Sequence, residues 1–210
     1  SPISAYLCDA GLKSFAISET QKYGHVTYFW NGNMTGYIDE SLETYIEIPS
    51  DPRPFHEQPE MQATAITDKT IQLLQTQHYD FARVNFPNGD MIGHTGDFDA
   101  TVKSVEITDQ CVAKIVDCVT ALDGITVICA DHGNADDMFS VNDSGMRIPK
   151  TAHTLNPVPF AIIDAGRDAY YTLASIETAG LANVAATLFN LLGYEAPEDY
   201  APSLIMPNSV

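Results

Sequence analysis

The chain has 210 residues, with 10 basic and 28 acidic side chains, for a formal charge of −18 at pH 7. Hydrophobic residues make up 45% and charged residues 18%, which excludes a disordered chain. The acidic balance excludes a nucleic-acid partner, which needs clustered Lys and Arg to neutralise phosphates, and an anionic membrane surface would repel it.

From the amino terminus, residues 3–11 (ISAYLCDAG) predict a short helix, and Ser14 to Ser18 a strand. Residues 19–33 are polar, then aromatic, and end on an Asn-Gly-Asn turn. Thr44 to Pro49 alternates like a half-buried strand, whereas 51–59, with three prolines, predicts a loop. Met61, Ala65, Ile66, Ile71, Leu73 and Leu74 recur at helical spacing over 60–77. Asp80 to Phe86 predicts a strand stopped by Pro87-Asn88-Gly89.

A long amphipathic helix is expected over 99–122, with Val102, Val105, Ile107, Val112, Ile115, Val116 and Val119 as its apolar members. Gly124 to Ala130 is a continuous apolar run, the pattern of a strand buried on both faces. A hydrophilic loop is expected over 133–152, a strand over Pro157 to Ile163, and a helix over 177–192 closed by Gly193. Helices between apolar strands predict one α/β domain, a three-layer sandwich around a mainly parallel sheet. At this size a compact fold hides roughly 70% of the surface its unfolded chain exposes, enough for a core.

No apolar run approaches the ~20 residues that cross a bilayer. Ser1-Pro2-Ile3 lacks the basic start and apolar stretch of a signal peptide, and the absence of an initial Met suggests a processed product or an excised piece. Cys8, Cys111, Cys118 and Cys129 lack paired spacing, so they are expected as buried thiols in a reducing compartment, the cytoplasm.

Chemistry concentrates after two predicted strands. One is followed by Asn88-Gly89-Asp90-Met91-Ile92-Gly93-His94, the other by Asp131-His132-Gly133-Asn134-Ala135-Asp136-Asp137. Ligands of open α/β sheets collect beyond the carboxyl ends of strands. Carboxylate oxygen with imidazole nitrogen suits manganese, zinc or a related divalent ion. Asp90 and His94 are four residues apart, so one helical turn or a loop brings both to one ion. His153, in a polar stretch before a strand, is the third candidate. Each has a plainer alternative, since Asp and His are common in turns and caps. His25, His56 and His78 lack such company and are expected to be ordinary structural or surface histidines. Lys22 is the basic residue nearest this chemistry, with a solvated lysine at a helix start as its alternative.

The segments SETQKYGHVTYFWNG (18–32), RVNFPNGDMIGHTGDFDATV (83–102), ADHGNADDM (130–138) and TAHTLNPVPF (151–160) resemble motifs of the cofactor-independent phosphoglycerate mutases. QPEM (58–61) and the stretch from Gly180 to Ile205 are similar to that family as well. The resemblance implies the alkaline phosphatase superfamily. It also implies interconversion of 3-phosphoglycerate and 2-phosphoglycerate through a phosphoserine, with two divalent ions, typically manganese. Asp90, His94 and His153 match the protein ligands of one ion. Asp131 and His132 match two ligands of the other, and Lys22 matches a lysine facing the transferring phosphoryl group.

The family's Asp-Gly metal motif, nucleophilic serine and arginine-rich transferase domain have no match here. The chain is therefore expected to be the carboxyl-terminal portion of the phosphatase-like domain, incomplete on its amino-terminal side. Such a piece would be inactive alone and hold at most one ion. It would be open to pairing with the missing region or with another copy of itself. Two other readings stay open: a metal-dependent phosphohydrolase of the same superfamily, and a non-catalytic half of a split enzyme.

Overall fold

A computed structural model describes residues 1–150, 152–165 and 170–208. Thr151, the first residue of the fourth motif, lies outside the described residues. The chain divides into two compact units, residues 1–118 with 132–158, and residues 119–131 with 159–210.

The first unit is organised around strand β1 (Ser14–Glu19), every residue of which is buried. It lies between β2 (Glu43–Ile48) and β3 (Phe81–Val84), both parallel to it, with Ile17 opposite Ile46 and Val84. Successive side chains of a strand point to opposite faces, so Phe15 and Ile17 share one face and Ala16 and Ser18 the other. Phe15 and Ile17 pack with Ile66 and Leu73 of helix α3 (Ala63–Thr76) to form the core. Helix α3 buries Ala63, Ile66, Thr67, Thr70 and Leu73, the stripe of a helix lying on a sheet. Each such large apolar side chain contributes about 1.5–3 kcal/mol by leaving water.

The small parallel sheet has a consequence for function. Its strands share one direction, so β1 and β3 discharge their chains at the same edge. There β1 leads into helix α2 (Thr20–Gly24), and β3 leads through Pro87 into helix α4 (Asn88–Gly93). The predicted helix over 3–11 is α1 (Ile3–Asp9), and 25–29 is a π-helical turn (His25–Phe29). A 3₁₀ turn (Phe55–Glu57) interrupts the proline-rich loop.

The long helix forms as α5 (Phe98–Ala121), but its fully buried residues share only Ile115 with those predicted. Ala100, Thr101, Ser104, Cys111 and Ile115 are buried, while Val102 and Val105 are exposed. Small side chains on that face allow close packing, and hydropathy alone assigns the stripe to the valines instead. All four cysteines are free thiols, but only Cys111 is buried; Cys129 is exposed.

The segment expected as loop over 133–152 contains a hairpin, β5 (Phe139–Val141) with β6 (Arg147–Pro149). Its turn is held by Asn142 Oδ1, which accepts from the Ser144 and Met146 amides, and Gly145 takes φ +78°. Three-residue strands this exposed carry too short an alternation to be read. Pro149 packs on Gly96, where an added Cβ would lie 2.7 Å from the proline Cβ.

In the second unit, β4 (Thr126–Cys129) pairs antiparallel with β7 (Phe160–Ile163). The parallel part of the expected sheet is thus the small three-stranded one of the first unit, and this pair departs from it. The described part of 130–159 holds the β5–β6 hairpin and no helix, so the helical crossover that usually joins parallel strands is not there. Strand β4 is also half-exposed rather than buried on both faces. Strands β8 (Tyr171–Leu173) and β9 (Ile205–Pro207), unpredicted from the sequence, form a further antiparallel pair. Helix α6 (Val184–Leu191) follows a 3₁₀ turn at Leu181–Asn183 and ends at Gly193, whose φ of +85° suits a helix terminus.

Candidate metal centre

Helix α4 starts as soon as the chain leaves β3, because Asn88 is buried and its side-chain amide donates to the Pro59 and Glu60 carbonyls. That anchor fixes the helix on the rim of the sheet, with Asp90 and His94 one turn apart. His94 Nε2 lies 3.0 Å from Asp90 Oδ1, and His153 Nε2 lies 3.2 Å from the same oxygen. The two Nε2 atoms are 3.2 Å from each other. Three donor atoms from two chain segments therefore converge, within 4.8 Å of one another.

Donor chemistry tests whether a divalent ion fits. Ligand atoms about 2.1 Å from a cation stand about 3.0 Å apart along an octahedral edge and about 3.4 Å apart along a tetrahedral one. The observed 3.0–3.2 Å separations fall in that range. Two imidazoles and a carboxylate, partly open to solvent, form a set that suits manganese, cobalt or zinc. A divalent ion satisfies all three lone pairs at once, whereas a single proton between the imidazoles satisfies only one pair. The residues fit the group.

The other carboxylate oxygen of Asp90 is paired separately. Lys22 Nζ, on α2, lies 2.8 Å from Asp90 Oδ2, with both side chains largely buried. Lys22 is therefore no solvated lysine at a helix start. Burial pushes the Asp90 carboxyl up, but the Lys22 hydrogen bond and charge, with His94 and His132, outweigh it and hold it below the usual range. Asp90 is thus charged at neutral pH, as a metal ligand must be.

Asn134 and Asp136 complete the surroundings, and neither was singled out from the sequence. Asn134 is buried, and its Nδ2 donates to Asp90 Oδ1 at 3.2 Å and lies 3.2 Å from the His94 ring nitrogens. Room for it comes from Gly93, where a Cβ would overlap Asn134 Oδ1 and stand 3.1 Å from Cγ. Asp136 Oδ2 accepts from Thr154 Oγ1 at 3.0 Å and Asn156 Nδ2 at 2.6 Å. The Asn156 hydrogen bond is the largest influence and holds its carboxyl low; burial pushes the other way, and the smaller Thr154 hydrogen bond adds to the lowering. Both residues stand in the ADHGNADDM segment (130–138), so the signal was its Asn and second Asp beside the Asp-His pair.

The remaining expected residues are placed as follows. His132 stacks on His153, ring centroids 3.6 Å apart and planes 9° from parallel, but is not one of the converging donors. Asp131 is exposed just after β4, at the end of a stretch belonging to the second unit, and is also outside the converging set. His56 and His78 are exposed beside Glu57 and Asp80, as ordinary surface histidines are.

Residues 2–196 match the family described as the metalloenzyme superfamily. The chain belongs to that superfamily. It is 47% identical over 209 residues to the 2,3-bisphosphoglycerate-independent phosphoglycerate mutase of Trypanosoma brucei brucei, covering 95% of this chain and 38% of the relative. A probable 2,3-bisphosphoglycerate-independent phosphoglycerate mutase 2 of Arabidopsis thaliana is 50% identical over 210 residues, with the same coverage of 95% and 38%. A crystal structure of Leishmania mexicana phosphoglycerate mutase, determined at low cobalt concentration, superposes with a TM-score of 0.92 at 51% identity. That superposition covers 98% of this chain and 39% of the Leishmania one. The chain spans about two fifths of the length of the relatives it matches. The resemblance read from the four motifs is thereby shown for that portion.

Proposed function

We propose that this chain is the carboxyl-terminal part of the phosphatase-like domain of a cofactor-independent phosphoglycerate mutase. The whole enzyme, on this reading, is cytoplasmic and moves a phosphoryl group between the 3- and 2-hydroxyls of glycerate through a phosphoserine. The observation that supports it most is the convergence of Asp90, His94 and His153 on one point, with Lys22 on the far oxygen of the same carboxylate.

Asp90, His94 and His153 hold one divalent ion, and Asp131 with His132 contributes to a second that other residues complete. When bound, such ions polarise phosphoryl oxygens and lower the pKa of a hydroxyl nucleophile. Lys22 does two things from its own position. Its charge keeps Asp90 ionised for ligation, and it remains a fixed cation near developing phosphoryl charge, where preorganised positive groups act most strongly. The net charge of −18 would repel an anionic substrate unless bound cations reverse the local field.

The nucleophilic serine and the glycerate-holding arginines of the family have no counterpart in these residues, so this chain alone performs no turnover. The test is metal analysis after dialysis together with a mutase assay. One manganese ion or fewer per chain and no mutase turnover are expected, with activity appearing only when a polypeptide bearing the missing aspartate and serine is added. Two tightly held ions, or turnover by this chain alone, would overturn the reading.

A further inference from the structure

Of the three converging donors, His153 has the weakest claim to a fixed position. Asp90 and His94 ride on α4, whereas His153 is carried by irregular chain and its side chain is the most exposed of the three. A ligand on irregular chain must be held by something else, or ordering it on binding costs affinity.

Three features supply that hold, all between 132–136 and 153–156. The Thr154 amide donates to the Gly133 carbonyl at 2.9 Å, an isolated antiparallel bridge. The Asp136 carboxylate reaches across and accepts from both Thr154 Oγ1 and Asn156 Nδ2 through one oxygen. His132, beside the bridge, stacks its ring on that of His153. The approach is so close that a Cβ on Gly133 would lie 2.5 Å from Asp136 Oδ1 and overlap Thr154 Oγ1. The carboxylate thus reaches the segment from both sides of residue 155, immediately downstream of the ligand.

We propose that Asp136 is a positioning residue for the metal centre, clamping 154–156 so that His153 is presented to Asp90 and His94 already in place. This rests on the reading of those three residues as ligands. Asp136 lies outside the converging set and acts only through the chain that carries His153. Its removal leaves Asp90 and His94 where they are and frees the third ligand.

The test is manganese affinity, measured by titrating the purified protein and following free Mn²⁺ by electron paramagnetic resonance. Asp136→Ala is expected to weaken binding about 10–100-fold, the range for groups that orient ligands. Asp136→Asn keeps an acceptor oxygen for the same two donors, so it should fall between Asp136→Ala and the unaltered protein. In a His153→Ala background, Asp136→Ala should cost less than a further twofold, because the ligand it positions is gone. A merely structural role would cost the same factor in both backgrounds, and that result would overturn the proposal. Unchanged affinity in Asp136→Ala would overturn it too, while leaving the metal site intact. Failure of the unaltered protein to bind manganese would instead overturn the site itself, and this inference with it. If Asp136→Ala does not fold, Asp136→Asn in the two backgrounds carries the same comparison.

Discussion

Gly93→Ala isolates the dependence of the metal centre on a single missing methyl group. Gly93 is the last residue of α4, and an alanine there has nothing against it from helix propensity, which favours Ala over Gly by about 0.8–1.0 kcal/mol in a helix interior. The obstacle is Asn134, whose Oδ1 occupies the place of the new Cβ and whose Cγ would stand 3.1 Å away. Asn134 is 6% exposed and has no room to slide, so it must rotate out of its site. Rotation removes the Nδ2 hydrogen bond to Asp90 Oδ1, and hydrogen bonds to a charged group contribute about 1.5–3 kcal/mol each. After the propensity gain is set against it, the net cost is about 1–2 kcal/mol, a fall in Tm of about 2–8 °C for a chain of this size. Manganese affinity should drop about tenfold, because Asn134 also orients a ligand. Calorimetric unfolding and manganese titration of Gly93→Ala and Asn134→Ala/Gly93→Ala decide the matter. In the double variant the clash is gone, so adding Gly93→Ala to Asn134→Ala should be neutral or slightly stabilising. A Gly93→Ala protein with unaltered Tm and unaltered affinity would refute the reasoning.

Lys22→Met should destabilise the metal-free protein by about 3 kcal/mol, since it leaves a largely buried carboxylate without its cation. Urea unfolding with and without manganese should show a smaller loss when the ion is present to take over that charge. Burial, then a hydrogen bond to Glu43, pushes the Tyr45 hydroxyl up to about 12. The unfolded chain deprotonates near 10, so stability is intact below that and is lost as pH rises through 10 towards 12. Because Tyr45 is only partly buried, solvent screening reduces the loss to about 1 kcal/mol, and Tyr45→Phe should make the alkaline unfolding slope shallower, with the remainder due to other raised groups such as Tyr23. Arg83→Met should cost about 3–5 kcal/mol by stranding the buried Glu43 carboxylate 3.6 Å from its guanidinium. Arg83→Met with Glu43→Gln should recover most of that in thermal unfolding.

Legibility of the fold followed burial and length. Strand β1 and helix α3 were readable because their large apolar members, Phe15 and Ile17 on one and Ile66 and Leu73 on the other, sit at strand and helix spacing and meet in the core. The α5 stripe was misassigned except at Ile115, because the rest of its buried face is made of Ala, Thr, Ser and Cys. Close packing prefers such small residues and hydropathy undervalues them. The hairpin β5–β6 and the pair β8–β9 were missed because strands of three residues, most of them exposed or half-buried, carry no periodic signal; backbone pairing and an Asn142 turn define the hairpin instead.

The metal centre shows the same division at the scale of side chains. Asp90 and His94 were legible because four residues of helix bring them to one side, a local rule. His153 comes from 59 residues beyond His94, and no local rule joins the two. It was found through its motif, and the geometry joins them through a bridge, a carboxylate and a stacked ring. Lys22 lies further still from Asp90 in sequence, and only the parallel arrangement of β1 and β3 brings their carboxyl ends to one edge. That arrangement depends on the Phe15, Ile17, Ile66 and Leu73 core, so damage there should lower the fraction of chains folded to carry the site without altering the site in those that fold. Leu73→Ala, at a position 4% exposed, should cost about 2–5 kcal/mol. Because Leu73 belongs to a hydrophobic cluster that contains none of the three ligands, manganese affinity of the folded fraction should stay within about twofold, as expected for independent sites. Titration after correcting for the folded fraction measures this, and a tenfold loss would mean that the core and the metal centre are coupled beyond simply being folded together.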